Sequence, residues 1–153
     1  MNCLMVVHSY HHGNTRKIAQ AMAAVLDAEI KTVSETGPDE PGQYSLVGFG
    51  AGIDSGHHYG ELLAFADRLP ACHGTPCFIF STSGVYGENK MAKDHLRLRE
   101  KLLEKGYEVI GEFSCAGYNT NRFLKYFGGM NKGRPDERDL QNARQFAKRL
   151  NLK

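Results

Sequence analysis

The chain has 153 residues, of which 24% are charged, with 19 basic against 17 acidic side chains and a net charge of +2. That is the length of one domain, 1–153, able to bury a core without disulfide or metal staples, and its balanced charge gives no argument for nucleic acid. The first apolar run, 3–7, is too short for a signal or a membrane span, so a cytoplasmic protein that does not associate with membranes is expected.

In chain order, a β-branched run at 3–7 predicts the first strand, and the loop 8–15 leads into an amphipathic helix on which Ile18, Met22, Val25 and Leu26 share one face. A second strand follows at 30–33. The stretch 34–43, "SETGPDEPGQ", is too polar and too rich in Pro and Gly for a helix and predicts an irregular crossover. A third strand at 46–49 precedes a helix carrying Leu62, Phe65, Ala66 and Leu69, which Pro70 ends. A fourth strand at 77–80 precedes a stripe of Met91, His95, Leu98 and Leu102, closed by Gly106. A fifth strand at 108–113 and a helix carrying Leu140, Ala143, Ala147 and Leu150, opened by Pro135-Asp136, complete the chain. Regular alternation of strand and helix implies a three-layer, doubly wound α/β sheet of parallel strands with helices on both faces.

Cys3, Cys72, Cys77 and Cys115 show neither a Cys-x-x-Cys pair nor zinc spacing and are expected to be reduced. There is no Gly-Lys dipeptide for a P-loop, and Gly48-Phe49-Gly50-Ala51-Gly52 lacks the dinucleotide spacing. Ligands of open parallel sheets bind at the carboxyl ends of the strands, so three loops matter: 9–15, 51–58 and 81–91. The first leads into a helix N-terminus, where free amides favour an anion such as phosphate, with Ser9, Asn14 and Thr15 as added donors and Gly13 permitting close approach. Asn14 or Thr15 could equally serve only as the helix cap.

Gly13-Asn14-Thr15 matches the end of the phosphate loop of the flavodoxin family. "YSLVGFGAGI" and "FIFSTSG" are similar to the family's third and fourth strands, and "REKLLEKGYEVIGEFSCAGY" and "DLQNARQFAKRL" to its carboxyl half. The chain thus resembles flavodoxins over its full length, which implies strand order 2-1-3-4-5 and noncovalent binding of FMN. Tyr10 and His12 stand where the family has hydroxyl side chains, which makes His11 and His12 candidate imidazole donors to the phosphate. The resemblance places Ile53, Asp54, Ser55, Gly56 and His57 beside the flavin ring, with Gly56 as the peptide that can reorient next to it. Thr82, Ser83 and Gly84 would meet its pyrimidine edge. Asp54 and Ser55 replace an aromatic residue there, so His57, Tyr59, Tyr86 or Tyr118 would have to stack on the ring.

Two further patterns carry a second reading. His11, His12, His57 and His58 sit on neighbouring loops, but no Cys or carboxylate lies at a recognisable ligand spacing, and no metal is expected. Residues 119–134 interleave Arg122, Lys125, Lys132 and Arg134 with Phe123, Tyr126 and Phe127, which reads as a segment covering the flavin or meeting a redox partner, as an RNA-like surface, or as local packing. The resemblance implies an FMN electron carrier serving redox partner proteins, as monomer or homodimer. An FMN-dependent oxidoreductase of quinone or porphyrinogen type is the alternative, and a receiver-like signalling domain using Asp54 and Thr82 a remote one.

Overall fold

The computed structural model describes residues 2–9, 13–84, 87–117 and 133–151. Strand β1 (Cys3–His8) buries Leu4, Met5 and Val6 completely, as a parallel strand covered on both faces must. It pairs in parallel with β2 (Glu29–Thr32) on one side and β3 (Leu46–Asp54) on the other, with Met5 opposite both Ile30 and Gly48. Strand β5 (Pro76–Ser83) pairs with β3, and β6 (Glu108–Ala116) pairs with β5. A two-residue strand, β4 (His57–His58), folds back antiparallel along the end of β3. The order β2-β1-β3-β5-β6 is the expected 2-1-3-4-5 once β4 is counted.

Helices α1 (Asn14–Leu26) and α5 (Glu137–Asn151) cover one face. Helices α2 (Gly60–Arg68) and α4 (Leu96–Glu104) cover the other, with α3 (Glu88–Asp94) leading into α4. Alternation along β1 sends Cys3, Met5 and Val7 to the first face and Leu4 and Val6 to the second. The glycines of β3 now have a steric reason. A Cβ on Gly48 would lie 2.4 Å from the Phe78 ring, and one on Gly50 would lie 2.2 Å from the Phe80 ring, so the bare backbone of the central strand is the floor on which two phenylalanines of β5 rest.

Three expectations are corrected. Strands β3, β5 and β6 run several residues past 49, 80 and 113, because pairing on both sides of β3 and β5 outweighs the weak strand preference of Gly, Ser and Ala there. Ser81, Thr82 and Ser83 therefore lie in a strand, and part of the 51–58 loop is a hairpin. The stripe from Met91 to Leu102 is two helices joined at His95, although backbone bonds continue from His95 to Met91 and from Arg99 to His95. Pro70 does end α2, with Leu69 extended before it. Asp136 caps α5: its carboxylate accepts from the Asp139 amide at 3.0 Å, and the Asp139 carboxylate accepts from the Asp136 amide at 2.9 Å. The crossover predicted at 34–43 is irregular but for two single 3-10 turns, Val33–Glu35, which begins one residue before it, and Pro41–Gln43. All four cysteines are free thiols.

Candidate functional site

The carboxyl ends of β1, β3 and β5 lie side by side, and three loops leave them. Gly13 stands in the left-handed region, φ 65°, immediately before α1, with nothing within 4 Å of where a Cβ would be. Asn14 and Thr15 are inside the helix, so neither is its cap, and the cap position is Gly13, which brings no side chain. The Ser9 hydroxyl accepts from the Arg16 amide at a long 3.4 Å.

The first turn of α1 is instead tied to the far strands. Thr15 Oγ1 bonds Thr82 Oγ1 of β5 at 2.8 Å, with both residues buried. The Asn14 amide sits where a Cβ on Gly117, just past β6, would lie 2.7 Å from its Nδ2. Asn14, Thr15 and Thr82 are thereby brought together, but the Thr15 hydroxyl points into the domain towards Thr82. Beside the first loop lies a groove of about 650 Å³ lined by Ser9, Gly13, Arg16, Thr32 and Arg68 among others. Its polar lining mixes hydroxyls and two guanidinium groups with the carboxylate of Glu61.

At the end of β3 the chain turns through Ser55, φ 55°, and Gly56, φ 83°, and returns as β4, with Asp54 opposite His57 and Ile53 opposite His58. Two successive left-handed residues make a type I′ turn, and Gly56 meets nothing within 4 Å of a Cβ position, so glycine serves the backbone there. Asp54, Ser55 and Gly56 are exposed and His57 is half-buried, its Nδ1 donating to the His58 carbonyl at 2.8 Å. Ser83 accepts from the Gly117 amide through its carbonyl, and Gly84 follows it directly. Of the aromatic candidates, Tyr59 packs its ring over Gly52 and lies edge-on to His8 at 5.8 Å. Tyr10, His11, His12, Tyr86, Tyr118 and the stretch 119–132 lie outside the described residues.

Behind the hairpin is a cluster that sequence reasoning missed. His58 is completely buried, its Nε2 3.1 Å from the Phe80 carbonyl, its ring 4.8 Å from that of His95. His95 in turn lies 2.7 Å from the Ser81 hydroxyl and donates from Nδ1 to Glu112 at 2.9 Å, while Arg99 closes on both Glu112 oxygens at 2.7 and 2.8 Å. Burial holds His58 down at about 3, so it is neutral. Burial alone pushes Glu112 up, but hydrogen bonds from His95 and Arg99 outweigh it and hold the carboxyl at about 2. Ser81, His95 and Glu112 have the connectivity of a nucleophile relay. With Ser81 only 1% exposed in mid-sheet, no substrate reaches that hydroxyl, and the relay is structural. The one legible signal was the pair His95 and Arg99, one helical turn apart. Among the described residues, no group of three or more His, Cys, Asp or Glu forms a metal-ligand set.

Comparison with known proteins agrees with this architecture. A family model described as a flavodoxin domain matches residues 5–148. An uncharacterized protein of Methanocaldococcus jannaschii is 41% identical over 150 residues, 98% of each chain. Among solved structures, flavodoxin 2 from Bacillus cereus superposes with a TM-score of 0.74 at 18% identity, covering 99% of both chains. Flavodoxin 1 from the same organism gives 0.71 at 19%, covering 99% of this chain and 98% of that one. A parallel sheet of order β2-β1-β3-β5-β6, loops gathered at its carboxyl edge and a family match spanning nearly every element lead to one assignment: this chain belongs to the flavodoxin family.

Proposed function

We propose that the protein holds FMN at the carboxyl ends of β1, β3 and β5 and carries electrons between redox partner proteins. One observation carries the reading: the left-handed Gly13 and the left-handed Ser55-Gly56 pair stand at the ends of adjacent strands, with nothing within 4 Å of a Cβ on either glycine. The first introduces a helix start whose cap position is a glycine with no side chain, which suits a phosphate. The second offers a solvent-facing peptide that glycine leaves free to turn over.

In this reading the amides of Gly13, Asn14 and Thr15 and the Ser9 hydroxyl hold the phosphate, with Tyr10, His11 and His12 completing the loop. Arg16, beside the groove, adds positive charge. Ile53, Asp54, Ser55, Gly56 and His57 form one wall for the ring, and Thr82, Ser83 and Gly84 supply backbone and hydroxyl bonds to its polar edge. When bound, FMN supplies the one- and two-electron chemistry, and the protein sets its potential through hydrogen bonds and charge. A carrier needs no catalytic acid or base.

The test is an FMN titration followed by visible absorbance and fluorescence, with riboflavin in parallel. Tight FMN binding with weaker riboflavin binding is expected, and Ser9→Ala should weaken FMN by about tenfold or more while sparing riboflavin, since a bond to a charged group is worth about 1.5–3 kcal/mol. A protein that takes up no FMN refutes the reading. Steady turnover of NAD(P)H or a quinone without an added reductase would replace the carrier with an FMN-dependent oxidoreductase.

A further inference from the structure

The cluster behind the hairpin has no part in the FMN reading, yet it begins two residues past Gly56. His58 is the sole buried residue from 52 to 61, so its side chain is the anchor of the whole hairpin. Strand β4 has only two residues and pairs with β3, and of those two only His58 is buried, while Tyr59 after it packs over Gly52. The Phe80 carbonyl can only accept, so His58 Nε2 carries the hydrogen and Nδ1 is a bare lone pair, buried and without a hydrogen-bond partner. An apolar side chain would anchor the strand without that unmade bond. Beneath the ring, His95 is held on both nitrogens, by Ser81 and by a Glu112 carboxylate that Arg99 grips at two points.

We propose that His58 is the positioning residue of the flavin-facing turn: its neutral ring, seated on the His95–Glu112–Arg99 assembly, fixes the backbone of 54–57 and lets acid unfasten it. This rests on the FMN reading for what the turn faces. A proton on His58 would bring a cation against His95 and next to His57 on its own strand, with Arg99 across α4. Glu112 on β6 is the facing carboxylate, and it is already engaged by Arg99 and His95. Asp94 at the end of α3 is taken by Lys90 at 2.7 Å, and Asp54 lies exposed at the tip. The charged ring is therefore better accommodated in water than in its seat, and leaving the seat frees the turn.

Amide hydrogen exchange on the flavin-free protein tests this directly. With an ordinary histidine value of 6.5 when the hairpin is open and about 3 when it is seated, protection of the Asp54 and His57 amides, the pair that closes the hairpin, corrected for intrinsic rates, should fall about 30-fold between pH 7.5 and 5. His58→Gln keeps an amide donor for the Phe80 carbonyl but cannot take the charge, and its protection should be flat over that range. His58→Ala should lower protection of these amides at pH 7.5, and weaken FMN and riboflavin by one common factor of about ten, the fraction of ordered turn having fallen. PH-independent protection in the wild type, an equal acid response in His58→Gln, or a His58→Ala loss confined to FMN would overturn the assignment. Should the wild type bind neither flavin, the FMN reading fails, and the exchange data still decide whether His58 anchors the turn.

Discussion

Adding one methyl group at Gly50 is the sharpest probe of how the sheet carries this site. An alanine Cβ there would sit 2.2 Å from two atoms of the Phe80 ring, against the 3.4 Å at which ordinary contact begins, so ring or strand must give way by about 1.2 Å. Neither has room to do so. Phe80 is fully buried and its ring stacks with that of Phe78 at 5.9 Å, while Gly50 is paired on both sides, opposite Val7 and Phe80. Overpacking of this kind costs about 1–3 kcal/mol, and the immovable surroundings put Gly50→Ala towards the top of that range. The control is Gly60→Ala, where nothing lies within 4 Å of the new Cβ and the helical position favours alanine, so a neutral or slightly stabilising effect is expected. Urea denaturation gives both values, and Phe80→Leu supplies the second arm. If the clash is the cause, Gly50→Ala and Phe80→Leu together will cost at least about 1 kcal/mol less than the sum of their separate losses. Strict additivity, or a Gly50→Ala protein as stable as Gly60→Ala, would refute the steric account of the glycine-rich strand.

Acid should destabilise the fold through His58. Because its folded value is depressed to about 3 from 6.5, the unfolded chain binds the proton first, and stability falls as pH drops below 6.5 by about 1.4 kcal/mol per unit, or about 2 kcal/mol by pH 5. Glu112, held at about 2 against an ordinary 4.5, adds its own loss only below pH 4.5, so urea melts of His58→Gln should be level between pH 6.5 and 5. The Thr15–Thr82 bond should show the asymmetry of a buried hydroxyl pair: Thr15→Val leaves one hydroxyl unmatched and costs about 1–3 kcal/mol, while Thr15→Val with Thr82→Val costs less than either change alone. Denaturation midpoints of the three variants check the order. Burial pushes the thiols of Cys3, Cys77 and Cys115 up to about 12, whereas Cys72 is only half-buried. Titration of the native protein with a thiol-specific disulfide reagent at pH 8 should therefore find one fast thiol, and four only after unfolding.

The elements and the loops that matter were legible in the sequence because they rest on local signals: β-branched runs, apolar stripes at helical spacing, and Gly or Pro between them; the strand order was implied by the family resemblance. Pro70 and the Asp136 cap were readable for the same reason. What escaped was set by partners distant in the chain. Nothing local in "GFGAGI" shows that Phe78 and Phe80 will lie across it, so the strand read as short and its glycines as a failed nucleotide motif. His58 looked like one of four loop histidines, and His95 like one more position on an apolar stripe. Their meeting depends on β4 folding back under α4, which only the turn geometry at Ser55 and Gly56 decides. Thr15 was read as a phosphate donor from its place in the loop, yet its hydroxyl is met by a strand whose length was underestimated.

The bond between Thr15 and Thr82 also bears on when the site comes into being. It joins residues 67 positions apart, and the fit of Asn14 against Gly117 reaches further still along the chain. A nascent or truncated chain ending near residue 60 would contain both left-handed turns and the whole 9–15 loop, but not the strands β5 and β6 that orient them. Parallel pairings of this kind close large loops and form late compared with local helix. If the proposed FMN site holds, flavin uptake during refolding would therefore report completion of the entire sheet, making the ligand a clock for a late step of folding.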